Sequence, residues 1–142
     1  MTHDGVINLQ ELEAKLAASQ AQRKLISVML ANNETGIIQP LSEVAVLARK
    51  YGAYLHSDAV QALGKIPVDI GLLGVDFVSL SAHKFGGMVG AGALIYKINF
   101  PLKAQLIGGG QEKSLRSGTE NVAAIIAMGR AAEIVSKELE MR

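Results

Sequence analysis

Ala53-Tyr54-Leu55-His56-Ser57-Asp58 and Val75-Asp76-Phe77-Val78-Ser79-Leu80-Ser81 decide the fold. Both are short, β-prone runs that stop at a polar residue, and both are too short for an ordinary amphipathic helix. The chain between them is long enough for a crossover, so the two runs read as parallel neighbours in one sheet. Working outward, Leu25 to Ala31 reads as an earlier buried strand, closed by the turn Asn32-Asn33-Glu34-Thr35-Gly36. Gly92 to Lys97 reads as a fourth strand. Helices fit around them. Asn8 and Glu11 form a capping box ahead of Leu9, Leu12 and Leu16. Ser42 is placed to cap a second helix, with Val44, Leu47 and Ala48 on one face and Gly52 past its end. A long final helix carries Val122, Ile125, Ala132, Val135 and Leu139 on one side. Before it lies a polar, glycine-rich loop, Gly108 to Thr119, in which Ser117 or Thr119 can cap the helix. Helices alternating with strands predict an α/β fold: a mainly parallel sheet flanked by helices on both faces.

Composition supports that layering. Hydrophobic residues make up 49% of the 142, so a core can form, but aromatics are only 4% and Trp is absent. Such a core is built from Ala, Val, Ile and Leu. The net charge of +1 is scattered, with no basic stripe for nucleic acid. With no Cys, the chain holds no disulfide, thiolate metal site or thiol nucleophile. This is compatible with the cytoplasm. Met1 to Gly5 is polar, unlike a signal peptide, and no apolar run reaches the roughly 18 residues of a membrane span.

Parallel α/β sheets bind ligands beyond the carboxyl ends of their strands. Asn33, Asp58 and Ser81 to Lys84 all fall there. Lys84, among small and apolar residues, suits Schiff-base chemistry if desolvation frees its amine to attack a carbonyl. Asp58, 26 residues earlier, ends the preceding strand. Pyridoxal 5'-phosphate needs this pair: a lysine for its aldehyde carbon and a carboxylate to keep its ring nitrogen protonated. Gln61, about one turn beyond Asp58, and Asn33 are placed to approach the ring hydroxyl. Ser81 and His83 offer hydrogen bonds to a phosphate, as do Gly108-Gly109-Gly110 and Ser117-Gly118-Thr119. Each residue has a plainer reading: a surface lysine, a turn-capping aspartate, a core histidine, a flexible loop.

Together the motifs carry a resemblance. Asn32-Asn33-Glu34-Thr35-Gly36, Asp58-Ala59-Val60-Gln61, Ser81-Ala82-His83-Lys84-Phe85-Gly86-Gly87, and Gly108-Gly109-Gly110-Gln111-Glu112 through Arg116-Ser117-Gly118-Thr119 resemble the cysteine desulfurases. These belong to the class V aminotransferase group of fold-type I pyridoxal phosphate enzymes. The order and spacing agree from about Leu25 to Glu133. Gly87-Met88-Val89-Gly90 departs from the Gly-Pro-Lys-Gly common at that place.

The resemblance implies roles. Lys84 would be the catalytic residue, bonded to the cofactor and later moving protons at the substrate α-carbon. Asp58 would pair with the ring nitrogen. Asn33 and Gln61 would sit near the ring hydroxyl, and Ser81 and His83 would hold the phosphate. Thr119 would reach the phosphate of a neighbouring subunit's cofactor in a homodimer. The implied reaction turns L-cysteine into L-alanine and passes sulfur to an enzyme cysteine as a persulfide. From there it would go to a sulfur-acceptor or iron–sulfur scaffold protein. Family members are roughly three times longer, about two domains' worth. Residues 1–142 would then be the central part of the large domain, without its N-terminal part or the C-terminal small domain. The rival readings are another class V enzyme, a selenocysteine lyase or aminotransferase, and a non-catalytic binding module.

Overall fold

In the computed structural model, which describes residues 1–141, four strands form one sheet in the order β1-β2-β3-β4. They are β1 (Lys24–Met29), β2 (Ala53–Asp58), β3 (Phe77–Ser81) and β4 (Gly92–Tyr96). The first two pairings are parallel and the third antiparallel. The parallel pairs are joined by crossovers through α2 (Leu41–Lys50) and the single turn α3 (Ile70–Leu73). α1 (Leu9–Ala18) precedes the sheet, and α4 (Gln111–Ser114) and α5 (Val122–Glu140) follow it. The expected mainly parallel α/β fold is present.

The two-residue period of β2 sorts its side chains. Ala53, Leu55 and Ser57 are buried, while Tyr54, His56 and Asp58 point to the other face. Onto the buried face α2 lays Leu41, Val44, Ala45 and Ala48, which meet Ile26, Leu55, Val75 and Val78 in the core. Burying a Val or Leu side chain fully is worth about 1.5–3 kcal/mol, so this α2–sheet layer holds the domain together. Ser57 is the exception in that layer: its hydroxyl is fully buried and, among the described residues, has no hydrogen-bond partner. An unpaired buried hydroxyl costs about 1–3 kcal/mol. Ser57→Ala should therefore leave the thermal midpoint of the protein unchanged or raise it. A fall of several degrees would mean that the hydroxyl is partnered after all.

Several local expectations need correction. Asn8 does cap α1, accepting from the Glu11 amide at 3.0 Å, but Glu11 does not reciprocate. Its carboxylate turns to Lys15 at 2.7 Å, an i,i+4 pair. Ser42 is not the cap of α2. The helix starts at Leu41 behind Pro40, and the Ser42 hydroxyl donates to Glu43 at 2.7 Å. Gly52 does lie past its end, at φ +62°. β3 begins two residues later than expected because Asp76 is used otherwise. Its carboxylate accepts the Leu55 amide at 2.8 Å and pairs with Lys97 at 2.8 Å. Neither Ser117 nor Thr119 caps α5; Asn121 does, accepting from the Ala124 amide. Val122 and Ile125 are exposed, and the deeply buried positions of α5 are Ala124 and Ala131.

Within this chain the helices do not cover both faces of the sheet. The face opposite α2 carries an aromatic group in which Phe100 meets Tyr54 and Phe77 at ring separations of 5.0 and 4.9 Å. Around it Leu25, Leu94 and Tyr96 stay exposed, as do Ile98, Ile107 and Ile126 elsewhere. β1 and β4 are both open edges. Open edges and apolar patches favour self-association. The isolated 142-residue chain should therefore sediment as oligomers or larger species. A monodisperse monomer with a sharp cooperative melt, unchanged by pyridoxal phosphate, would contradict this.

Candidate active site

The parallel register decides which side chains share an edge. Met29 is level with Asp58, and Asp58 with Ser79. Two residues beyond Ser79, on the same face, β3 ends at Ser81. A 3-10 turn (Ala82–Phe85) follows at once and carries His83 and Lys84. The turn is anchored by Ala82 and Phe85, both buried, and by α5 packed against it. It closes on Gly86 at φ +94°, a conformation open to glycine at little cost. Gly87 must also be small: a Cβ there would meet the Ala82 Cβ at 2.9 Å and its carbonyl oxygen at 3.0 Å. A tight, glycine-dependent turn thus presents Lys84 at the end of β3, one strand from Asp58.

Asp58 is half-buried, and one carboxylate oxygen accepts the Val60 amide at 2.9 Å. This is the turn-capping role, and it leaves the other oxygen for a ligand. Ser81 and His83 come together through Oγ and Nδ1 at 2.9 Å, and among the described residues the His83 Nε2 has no partner. Lys84 is exposed, not sheltered as the sequence reading expected. Within this chain the flanking apolar residues Ala82 and Phe85 turn inward, and the lysine turns out. Among the described residues its amine has no hydrogen-bond or ion-pair partner.

Asn33 and Gln61 are less ready. The Asn33 amide donates to Glu34 at 2.7 Å, and the Gln61 carbonyl oxygen accepts from Lys65 at 2.5 Å. Both bonds are to exposed neighbours in sequence, and a ligand can displace them. Gln61 lies in a coiled segment one turn past Asp58, as expected. Thr119 is exposed in the loop before α5, and the structure joins it by no hydrogen bond to the Asp58–Lys84 edge. That loop is cross-braced: Ser117 donates to the Gly109 carbonyl at 2.7 Å, and the Gly118 amide to the Gln111 side chain at 3.2 Å. Its tip is left-handed at Glu112, Lys113 and Ser114, with φ of 49°, 56° and 64°. Left-handed backbone costs non-glycine residues roughly 1–2 kcal/mol each. These three residues lie inside the glycine-rich motif Gly108 to Thr119, but only the backbone dihedrals reveal the strain.

The donor set fits pyridoxal phosphate: an unpaired primary amine, a carboxylate one strand away, and a hydroxyl–imidazole pair beside the amine. Comparison with known proteins decides the family. The aminotransferase class-V family model matches residues 1–142. The chain belongs to that family. Its members are pyridoxal phosphate enzymes. A cysteine desulfurase of Sinorhizobium fredii is 46% identical over 132 residues, 93% of this chain and 33% of its own length. The cysteine desulfurase IscS of Dictyoglomus turgidum is 49% identical over 82% of this chain and 29% of its own length. The X-ray structure of a NifS-like protein from Rickettsia africae superposes with a TM-score of 0.95 at 45% identity, covering 98% of this chain and 39% of that one. The chain thus spans about a third of the length of these class-V relatives. The fold is that of fold-type I pyridoxal phosphate enzymes.

Proposed function

We propose that this chain is the central part of the cofactor-binding large domain of a cysteine desulfurase, whose N-terminal part and C-terminal small domain lie outside residues 1–142. The observation that carries the reading is the unpartnered Lys84 amine at the end of β3, one strand from the Asp58 carboxylate. The 46–49% identity to cysteine desulfurases supports the substrate assignment, L-cysteine.

When bound, pyridoxal phosphate supplies an electron sink for the pair of electrons left at the substrate α-carbon. The protein residues then have distinct tasks. Lys84 would hold the cofactor covalently through its aldehyde carbon and would take and return protons at the substrate α-carbon. Asp58 would hold the proton on the ring nitrogen by charge. Gln61 and Asn33 would donate hydrogen bonds to the ring hydroxyl oxygen, and Ser81 and His83 would hold the phosphate. Thr119 would serve the phosphate of the partner subunit's cofactor in a homodimer. L-Cysteine leaves as L-alanine, its sulfur taken by a cysteine thiolate as a persulfide. The chain has no Cys, so that thiolate comes from outside these residues. A sulfur-acceptor or iron–sulfur scaffold protein receives the sulfur. The reading places the enzyme in the cytoplasm. Among the described residues no helix is long and apolar enough to cross a membrane.

Borohydride reduction of the full-length enzyme followed by peptide mapping tests the reading. The reduced cofactor should sit on Lys84. A label on Lys65 or Lys97 would overturn the assignment.

A further inference from the structure

His56 lies two residues before Asp58 on the same face of β2, and its ring is held from three directions. Nδ1 is 2.8 Å from the Ser27 Oγ on β1. Nε2 is 3.2 Å from the Ser79 Oγ on β3. The ring also lies against Phe77, with centroids 4.9 Å apart and planes at 30°. One side chain therefore spans the three parallel strands, about one residue pair, some 6–7 Å, behind the Asp58 edge.

The chemistry of that bridge is specific. A neutral imidazole has one N–H donor and one acceptor nitrogen, while a serine hydroxyl can serve as either. Either tautomer can therefore satisfy both serines at once. Burial pushes the His56 pKa below its ordinary value, against a smaller upward pull from Asp58, so the bridge is uncharged near neutral pH. Ser79 is also the register partner of Asp58, and Ser81 follows two residues on, where the Lys84 turn begins. The bridge thus joins the strand that bears the carboxylate to the strand that leads to the amine.

We propose that His56 is a positioning residue, a neutral crossbar through Ser27 and Ser79 that fixes the Asp58 carboxylate against the Lys84 turn and so sets its grip on the cofactor ring nitrogen. This rests on the assignment of Asp58 and Lys84 above. A residue that only stabilised the sheet would lower the melting temperature and leave the ring nitrogen alone.

The test uses the full-length enzyme loaded with pyridoxal phosphate carrying a 15N-labelled ring nitrogen. His56→Phe keeps a ring against Phe77 but loses both hydrogen bonds, whereas His56→Gln keeps a donor and an acceptor. Ser79→Ala removes one bond with little loss of volume and decides the matter if the Phe variant does not fold. In His56→Phe or Ser79→Ala, the 15N resonance should move toward the unprotonated position, and kcat should fall with KM for L-cysteine unchanged, by up to about 10²-fold, the scale on which misplacing a group near the chemistry costs rate. His56→Gln should restore most of both. An unmoved 15N resonance in a folded His56→Phe or Ser79→Ala enzyme, whatever the melting temperature, would overturn the proposal. Asp58→Asn is the control. If it moves the resonance and the His56 and Ser79 variants do not, only the crossbar fails. If Asp58→Asn is itself silent, the cofactor assignment fails with it.

Discussion

Lys84→Ala in the full-length enzyme should abolish turnover and leave pyridoxal phosphate bound, if at all, without a borohydride-reducible link to the protein. Two losses combine. The proposed covalent anchor would disappear, and so would the proposed base for the α-proton. A positioned acid–base group alone contributes about 10²–10⁴-fold, so the fall should be at least of that order. The structure explains why no neighbour takes over. Lys65 already donates to Gln61, and Lys97 is paired with Asp76 at the far end of β4. The turn should survive the change, because its anchors are Ala82, Phe85, Gly86 and Gly87, while Lys84 is exposed. Cofactor absorbance, turnover and a melt, measured together, check this. Normal turnover would remove Lys84 from the mechanism.

The second large effect is expected at Asp58. Asp58→Asn keeps the shape and the acceptor for the Val60 amide, so the turn after β2 should hold. It loses the charge proposed to keep the ring nitrogen protonated. Removing one preorganised electrostatic partner typically costs about 2.7–4 kcal/mol, or 10²–10³-fold in rate. Turnover should fall by that much, with cofactor content much less affected, since Lys84 and the phosphate contacts remain. Near-normal turnover with normal cofactor content would reduce Asp58 to a turn residue.

Much of the candidate site is legible in the primary structure because it lies at strand ends, where an alternating apolar run meets a polar residue. Asp58 and Ser81 stand out in that way, and Lys84 by its distance from Asp58. His56 does not. It sits inside a strand in no motif, and only the two-residue period relates it to Asp58. Its partners, Ser27 and Ser79, lie 29 and 23 residues away. Helix caps were the weakest inference. Ser42, Ser117 and Thr119 all have the right chemistry, yet Asn121 caps α5 and Pro40 precedes α2. Many polar residues can cap, and packing chooses which backbone turn comes first.

What the amino-acid order determined by itself was the set of parallel strands, the crossover helices and the places of the candidate lysine and aspartate at strand ends. Hydrophobic periodicity and turn chemistry are local, and they are written in consecutive residues. Tertiary structure decided the rest. β4 runs antiparallel, one sheet face stays largely open within this chain, and Lys84 faces outward while Phe85 turns in. It also decided that an imidazole would tie three strands together behind the carboxylate. Those outcomes depend on register between strands far apart in the chain. A one-residue slip would send every side chain of a strand to the opposite face, and no short window of sequence records that choice.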